Sequence, residues 1–265
     1  MRKIIFLIHS IKAYLYFYLH ATNKHGVHSP FVYNFIVKCL SKKNIFKQQI
    51  PTSITGFRNA LLNNKKSIVV TDFGAGSKVF KSNQRKIATI AKTAGISTKR
   101  GALLLEISRY FNIKNTLEIG TSLGIATTYL GYDFTTKVTT LEGCPETAKI
   151  AQNQFDLFNF KNIKLHVGNF NETIPKALKN QKYDLIYFDG NHQKSATISF
   201  FKQCLKAIHN ETVFIFDDIY WSKEMEEAWN YIKNHKKVSV SIDTFQWGIV
   251  FFRAEQAKEH FIIRV

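Results

Sequence analysis

The sequence predicts an α/β fold of the doubly wound, Rossmann-like kind. Its sheet is seven-stranded, mostly parallel, and finished by a C-terminal antiparallel hairpin, with an N-terminal helical extension in front. Three observations carry that expectation. From about Ile96 onward, short apolar runs alternate with helix-period stretches. One such run, Thr116-Leu117-Glu118-Ile119, enters a glycine turn, Gly120-Thr121-Ser122-Leu123-Gly124, and then a helix. Near the end, Val238-Ser239-Val240-Ser241-Ile242 and Trp247-Gly248-Ile249-Val250-Phe251-Phe252 stand only a few residues apart, which reads as a hairpin with one antiparallel strand. The division expected is residues 1–95 as helical extension and substrate or lid region, and residues 96–265 as the catalytic domain.

The extension opens with Arg2 and Lys3 ahead of Ile4-Ile5-Phe6-Leu7-Ile8, then Tyr14-Leu15-Tyr16-Phe17-Tyr18-Leu19. His9, Ser10 and Lys12 interrupt the apolar run and no small-residue cleavage site follows, which argues against a signal peptide. The segment is also too short and polar to span a bilayer comfortably. A helix docked on the domain, or one in peripheral membrane contact through residues 1–20, remains. Ser29-Pro30 pairs a good N-cap with proline at the first helical position, so a helix begins there. His25 and His28 have H-x-x-H spacing but no carboxylate or cysteine nearby, which favours capping and packing over metal binding. Lys42 to Asn64 is polar and basic around Phe57-Arg58-Asn59-Ala60-Leu61-Leu62.

In the second region a helix is expected from Gly101 to Phe111, a strand at Thr116 to Ile119, and a helix from Ser122. A strand at Lys137 to Leu141 and a helix from Pro145 to Phe158 follow. Asn162 to Val167, Tyr183 to Phe188 and Thr212 to Phe216 are short apolar runs suited to buried parallel strands, returned by right-handed crossovers.

The glycine turn reads as a nucleoside-cofactor site. Glycine lets the backbone approach a ligand, and the strand Val138-Thr139-Thr140-Leu141-Glu142 ends in a carboxylate about twenty residues on, where two ribose hydroxyls need an acceptor. The turn is E-x-G-x-x-x-G rather than the dinucleotide G-x-G-x-x-G, which points away from a pyrophosphate and towards S-adenosylmethionine. Ile68-Val69-Val70-Thr71-Asp72-Phe73-Gly74-Ala75-Gly76-Ser77 is a competing cluster, but no acid-tipped strand follows it. It is expected to be a tight packing turn or a loop closing over substrate.

With 265 residues and 45% hydrophobic content, the chain can bury a full α/β core. Cys39, Cys144 and Cys204 are scattered without paired or metal-ligand spacing, which suits a reducing cytoplasm; membrane association stays open. A net charge of +18 invites a nucleic-acid partner. The basic residues are spread over most of the chain, and Lys, Asn, Ile and Phe are abundant together, so the charge is discounted as a functional signal.

Ile96 to about Trp221 resembles the small-molecule O-methyltransferase family that includes catechol and caffeoyl-coenzyme A O-methyltransferases, together with bacterial relatives, among the class I S-adenosylmethionine-dependent methyltransferases. The resemblance rests on Ser97-Thr98-Lys99-Arg100-Gly101-Ala102-Leu103-Leu104, the Glu118 to Gly124 turn, Glu142, Tyr183-Asp184-Leu185-Ile186-Tyr187-Phe188-Asp189 and Phe216-Asp217-Asp218-Ile219-Tyr220-Trp221. It implies O-methylation of a small-molecule hydroxyl. It also implies that Glu118, Gly120, Thr121, Ser122 and Gly124 line the methionine end of the cofactor, that Glu142 with Gly143 holds the ribose, and that Asn169 and Phe170 border the adenine. Asn169 departs from an aspartate common in relatives, although an amide oxygen can also accept from the adenine amino group.

By the same resemblance Asp189, Asp217 and Asp218 are candidate ligands for Mg2+ or Mn2+, with Asp189 also near the cofactor. Helix capping is the alternative for Asp217 and Asp218. His192 falls where those enzymes place a lysine general base, and histidine can do that work near neutral pH; a surface histidine in the turn is the alternative. Methylation of RNA, motivated by Lys78, Lys81, Arg85, Lys86, Lys99 and Arg100, is disfavoured by Asp189-Gly190-Asn191-His192 in place of an N-P-P-Y or D-P-P-Y type motif. A non-catalytic membrane-associated protein and a homodimer stay open.

Overall fold

The structure, a computed structural model, describes residues 2–40, 50–74, 76 and 82–264. Ala75 and residues 77–81, which include Ser77 of the second glycine cluster and Lys78 and Lys81 of the basic stretch, lie outside the described residues.

The N-terminal helix α1 (Arg2–His20) turns Ala13 and Phe17 inward, with Phe17 5.4 Å from the Phe245 ring. Ile11, Tyr14, Leu15, Tyr18 and Leu19 stay half exposed or more. Among the described residues no helix is long and apolar enough to cross a membrane. The next helix, α2 (Pro30–Phe35), starts where Ser29-Pro30 sets it: Ser29 Oγ accepts the Val32 N–H at 3.4 Å, satisfying an amide the helix cannot. It runs on through a π turn, Ile36–Leu40. Helix α3 (Thr52–Leu62) and a two-stranded antiparallel ribbon, β1 (Ser67–Val69) with β2 (Gln84–Lys86), lead to α4 (Ile87–Thr93) and α5 (Thr98–Tyr110).

From there strand and helix alternate through β3 (Asn115–Ile119), α6 (Ile125–Leu130), β4 (Lys137–Glu142), α7 (Pro145–Leu157) and β5 (Ile163–Val167). The alternation continues with α8 (Phe170–Leu178), β6 (Leu185–Phe188), α9 (Lys194–Cys204), β7 (Val213–Asp217) and α10 (Lys223–Asn234). The chain ends in β8 (Val240–Asp243), β9 (Trp247–Phe251) and β10 (Glu259–Ile262).

The large sheet has the order β10-β8-β9-β7-β6-β3-β4-β5. β9 runs antiparallel to both its neighbours, so it alone opposes the other strands of this sheet. The expected hairpin is therefore present, but the sheet has eight strands rather than seven. The extra strand, β10, pairs parallel to the outer edge of β8, and it is tied to the N-terminal segment by the Thr22–Ile263 bridge.

Both faces of the central strands are covered, which is why they read as unbroken apolar runs. Leu185 and Tyr187 of β6 pack with α2, α3, α5 and α6, while Ile186 and Phe188 pack with Phe200, Phe201 and Trp229 of α9 and α10. The strand order reverses between β3 and β6, whose carboxyl ends diverge into loops on opposite sides. Open α/β sheets leave a crevice at such a point.

Candidate functional site

A cavity of about 750 Å³ opens at those carboxyl ends. Its floor comprises Gly120 and Ser122 after β3, Glu142 and Gly143 at β4, Asn169 and Phe170 after β5, Asp189 to His192 after β6, and Asp217, Asp218 and Trp221 after β7. Val70 to Gly74 and Arg85 form one wall; Ile96 and Arg100 belong to another.

On the β3–β4 side, the Glu142 carboxylate is fixed by two backbone donors: Ser122 N–H at 2.7 Å to Oε2 and Cys144 N–H at 2.8 Å to Oε1. Burial pushes its carboxyl upward from the ordinary glutamate range, and these donors oppose the shift. Gly120 has φ 107°, and a Cβ there would collide with the carbonyl oxygen of Asp189, so only glycine lets the two loops meet. Asn169 Oδ1 accepts the Asn171 N–H at 2.9 Å, capping α8, while Phe170 stands edge-on to Phe200 at 5.7 Å.

Three residues expected beside the cofactor are set back from the cavity. Glu118 is wholly buried beneath the floor, its Oε2 accepting hydroxyls from Thr127 at 2.5 Å and Thr140 at 2.6 Å. Desolvation drives its carboxyl up to about 8. Thr121 is buried in the same network, its hydroxyl 2.5 Å from that of Thr140. Gly124, with φ 82°, starts α6, and its missing Cβ makes room for Phe155, whose ring would lie 2.5 Å away. These residues shape the turn from behind.

On the β6–β7 side, Asp189 keeps 24% of its side chain open, and His192 Nε2 lies 3.7 Å from its Oδ1. Burial and then the Asp218 carboxylate push Asp189 up to about 7, with Arg100 opposing. His192 lies 6.2 Å, ring to ring, from Trp221. Asp217 is fully engaged: Oδ1 takes the Arg100 guanidinium and the Asp218 N–H at 2.9 Å, and Oδ2 takes the Tyr187 hydroxyl at 3.2 Å. Among the described residues no three His, Cys, Asp or Glu side chains converge as a metal-binding group.

Two further contributors stand in the cavity, Arg100 and the second glycine cluster. Arg100 pairs with Asp217 across 117 positions, a contact with no local signal in the sequence. The described part of the second glycine cluster, expected as a packing turn or a loop over substrate, forms a wall of the cavity: Asn191 Nδ2 donates to the Phe73 carbonyl at 3.1 Å, and the Phe73 ring covers Gly143. His25 and His28 are both exposed and do not line the cavity.

Residues 117–219 match the family model described as a methyltransferase domain. No curated protein matches the sequence. Among solved structures, the chain is similar to the methyltransferase PaMTH1 of Podospora anserina bound to S-adenosylhomocysteine, at 15% identity, covering 86% of this chain and 97% of that one, with a TM-score of 0.61. It is similar to the Bacillus cereus O-methyltransferase in complex with S-adenosylhomocysteine at 16% identity, covering 83% and 94%, with a TM-score of 0.52. The O-methyltransferase TomG of Streptomyces achromogenes, solved with S-adenosylmethionine, gives 17% identity, 60% and 82% coverage and a TM-score of 0.52. At such identities the likeness is one of fold. Residues 117–219 carry a methyltransferase domain, and the sheet that holds it has the open α/β order with its crevice at the β3–β6 reversal. In fold the chain is similar to these O-methyltransferase structures.

Proposed function

We propose that the protein transfers a methyl group from S-adenosylmethionine to a hydroxyl oxygen of a small molecule. The observation that carries this is the single cavity in which the Glu142 side and the Asp189–His192 side face one another. Its volume of about 750 Å³ suits a nucleoside cofactor together with a small acceptor.

The residues on the β3–β4 side fit the cofactor. Glu142 is a carboxylate held by backbone donors at a strand end, suited to ribose hydroxyls, and Gly143 carries no side chain to obstruct it. Gly120 and Ser122 face the methionine end, and Asn169 and Phe170 border the base, with Asn169 using its Nδ2 because its Oδ1 caps α8. Bound there, the cofactor supplies an electrophilic methyl on a sulfonium. The methyl would pass to the acceptor oxygen with the C–S electron pair left on sulfur, and His192 would take the hydroxyl proton. Asp189 stabilises the imidazolium so formed, since an opposite charge a few ångströms away favours it. Residues 1–95 contribute a wall of the cavity through Val70 to Gly74 and Arg85, closing over Gly143 at Phe73, and residues 96–265 form the methyltransferase domain.

Mg2+ or Mn2+ at Asp189, Asp217 and Asp218 would require Asp217 to be released from Arg100, Tyr187 and the Asp218 amide. The residues as arranged do not fit a resident divalent cation.

The test is calorimetric binding of S-adenosylhomocysteine, followed by a methyl-transfer screen over phenols, catechols and aliphatic alcohols with mass detection. Saturable binding and a product methylated on oxygen are expected. Absence of binding, or transfer only to nitrogen, would overturn the proposal.

A further inference from the structure

We infer that Arg100 occupies the seat of a divalent cation at this site, so that the positive charge beside the acceptor oxygen is a guanidinium and the protein has no metal requirement. The inference rests on the proposed methyl transfer and concerns how the same site manages charge.

Arg100 is in the first turn of α5, where Ser97 Oγ accepts its N–H at 3.3 Å and fixes the turn at the cavity mouth. Its Nη2 is paired with Asp217 Oδ1, and the guanidinium lies over the Trp247 ring at 5.3 Å. Its Nε is enclosed without a hydrogen-bond partner. The side chain is 21% exposed, with the open part facing the cavity that also holds Asp189, Asp218 and His192. A guanidinium stays charged at every working pH, and its planar fork suits a carboxylate on one edge while other N–H groups point elsewhere.

The charge balance supports the assignment. Among the described residues, the other cavity arginine, Arg85, is paired with Asp72 at 3.4 Å, and Arg100 is the arginine paired with an aspartate of the Asp189, Asp217 and Asp218 set. A divalent ion sharing Asp217 would have to displace a bonded guanidinium and then sit a few ångströms from it. At that range, like charges repel by several kcal/mol even at an intermediate dielectric. The Tyr187 hydroxyl on Oδ2 closes the other side of the same carboxylate. What the cation would have done, stabilising a developing oxyanion, a guanidinium N–H can do by charge-assisted donation.

The experiment is a Mn2+ titration followed by electron paramagnetic resonance on the protein with S-adenosylhomocysteine, using wild type, Arg100→Ala, Arg100→Lys and Asp217→Asn. Expected for wild type is no saturable Mn2+ binding and a methyl-transfer rate unchanged by a chelator. Arg100→Ala should release Asp217 and bind Mn2+ at least about tenfold tighter than wild type, with affinity for S-adenosylhomocysteine unchanged within about twofold, since the charge pair lies away from the ribose side. Arg100→Lys, which keeps the charge, should resemble wild type in the titration. The inference is overturned if wild type binds one Mn2+ per chain and Asp217→Asn abolishes that binding, or if Arg100→Ala leaves Mn2+ affinity unchanged. Failure of wild type to bind S-adenosylhomocysteine would instead sink the proposed methyl transfer, and the Mn2+ titration on the free protein would still decide the role of Arg100. Should Arg100→Ala not fold, Arg100→Gln removes the charge while keeping most of the side-chain volume.

Discussion

The carboxyl of Glu118 offers a direct probe of the floor beneath the glycine turn. It is fully buried, with two hydroxyls on Oε2 and an Oε1 enclosed without a partner. Desolvation, the largest cause, lifts it to about 8, so near neutrality the folded chain keeps a proton that the unfolded chain has released. Unfolded glutamate titrates near 4.3. Across that window the native state binds more protons than the unfolded one, so stability falls as pH rises. The slope is about 1.4 kcal/mol per pH unit from this group alone, hence about 3 kcal/mol between pH 5.5 and pH 7.5. Glu118→Gln carries no titration and can still accept both hydroxyls. Urea unfolding followed by tryptophan fluorescence at the two pH values should show Glu118→Gln gaining about 3 kcal/mol on wild type over the interval. Glu142, Asp189 and Asp243 titrate in both proteins and largely cancel in the difference. A wild-type minus variant gap that stays constant within about 0.5 kcal/mol would refute the placement of a protonated Glu118 in the floor.

Further outcomes follow from the same geometry. Glu142→Ala should weaken S-adenosylhomocysteine binding by about 10- to 100-fold, as expected for lost charge-assisted hydrogen bonds, read by calorimetry. His192→Ala should lower the methyl-transfer rate by about 100-fold or more while leaving cofactor affinity nearly intact, since the imidazole is assigned to the proton and not to the nucleoside; unchanged turnover would remove it from the mechanism. His192→Gly should in addition stabilise the fold by roughly 1 kcal/mol, because residue 192 has φ 46° and glycine adopts that region without strain. Gly124→Ala should destabilise by about 2–4 kcal/mol in chemical denaturation, from its φ of 82° and the Phe155 ring 2.5 Å from the new Cβ.

The parallel strands were legible because a strand covered on both faces must be apolar throughout, and each such run is bracketed by helix-period sequence. The helix start at Ser29-Pro30 was equally plain, since capping is local chemistry, whereas the Ser97 cap starts α5 at Thr98, ahead of the expected Gly101. What local pattern could not convey is which side of a fully buried strand a residue faces. Glu118 lies in a strand buried on both faces, so periodicity does not tell whether its carboxylate meets the cavity or the Thr127–Thr140 hydroxyls. Gly124 has the same ambiguity, a glycine being required equally by a close ligand and by the Phe155 ring. The edge strand β10 left little trace: four partly exposed residues, Glu259-His260-Phe261-Ile262, paired on one side only. The Arg100–Asp217 pair joins a helix start to a strand end through tertiary packing alone.

Backbone strain marks the same site independently of any motif. Among the described residues eight non-glycine positions have positive φ: Asn112, Ser122, Asn159, Asn180, Asn191, His192, Asp218 and Phe245. Asn112, Asn159 and Asn180 follow the ends of α5, α7 and α8, the position where asparagine commonly replaces glycine to close a helix. Phe245 turns the hairpin between β8 and β9. The other four, Ser122, Asn191, His192 and Asp218, all line the cavity. A left-handed serine, histidine or aspartate costs about 1 kcal/mol or more where glycine would cost nothing, and such residues persist when their side chains are needed where the strained backbone aims them. Ser122 directs its N–H at Glu142, Asp218 directs its N–H at the Arg100-bound Asp217, and His192 stands beside Asp189. The strain thus falls on the loops after β3 and β6, which flank the reversal of order, and after the neighbouring β7, and it joins the proposed ribose carboxylate to the proposed proton acceptor and the proposed cation in one set of constraints.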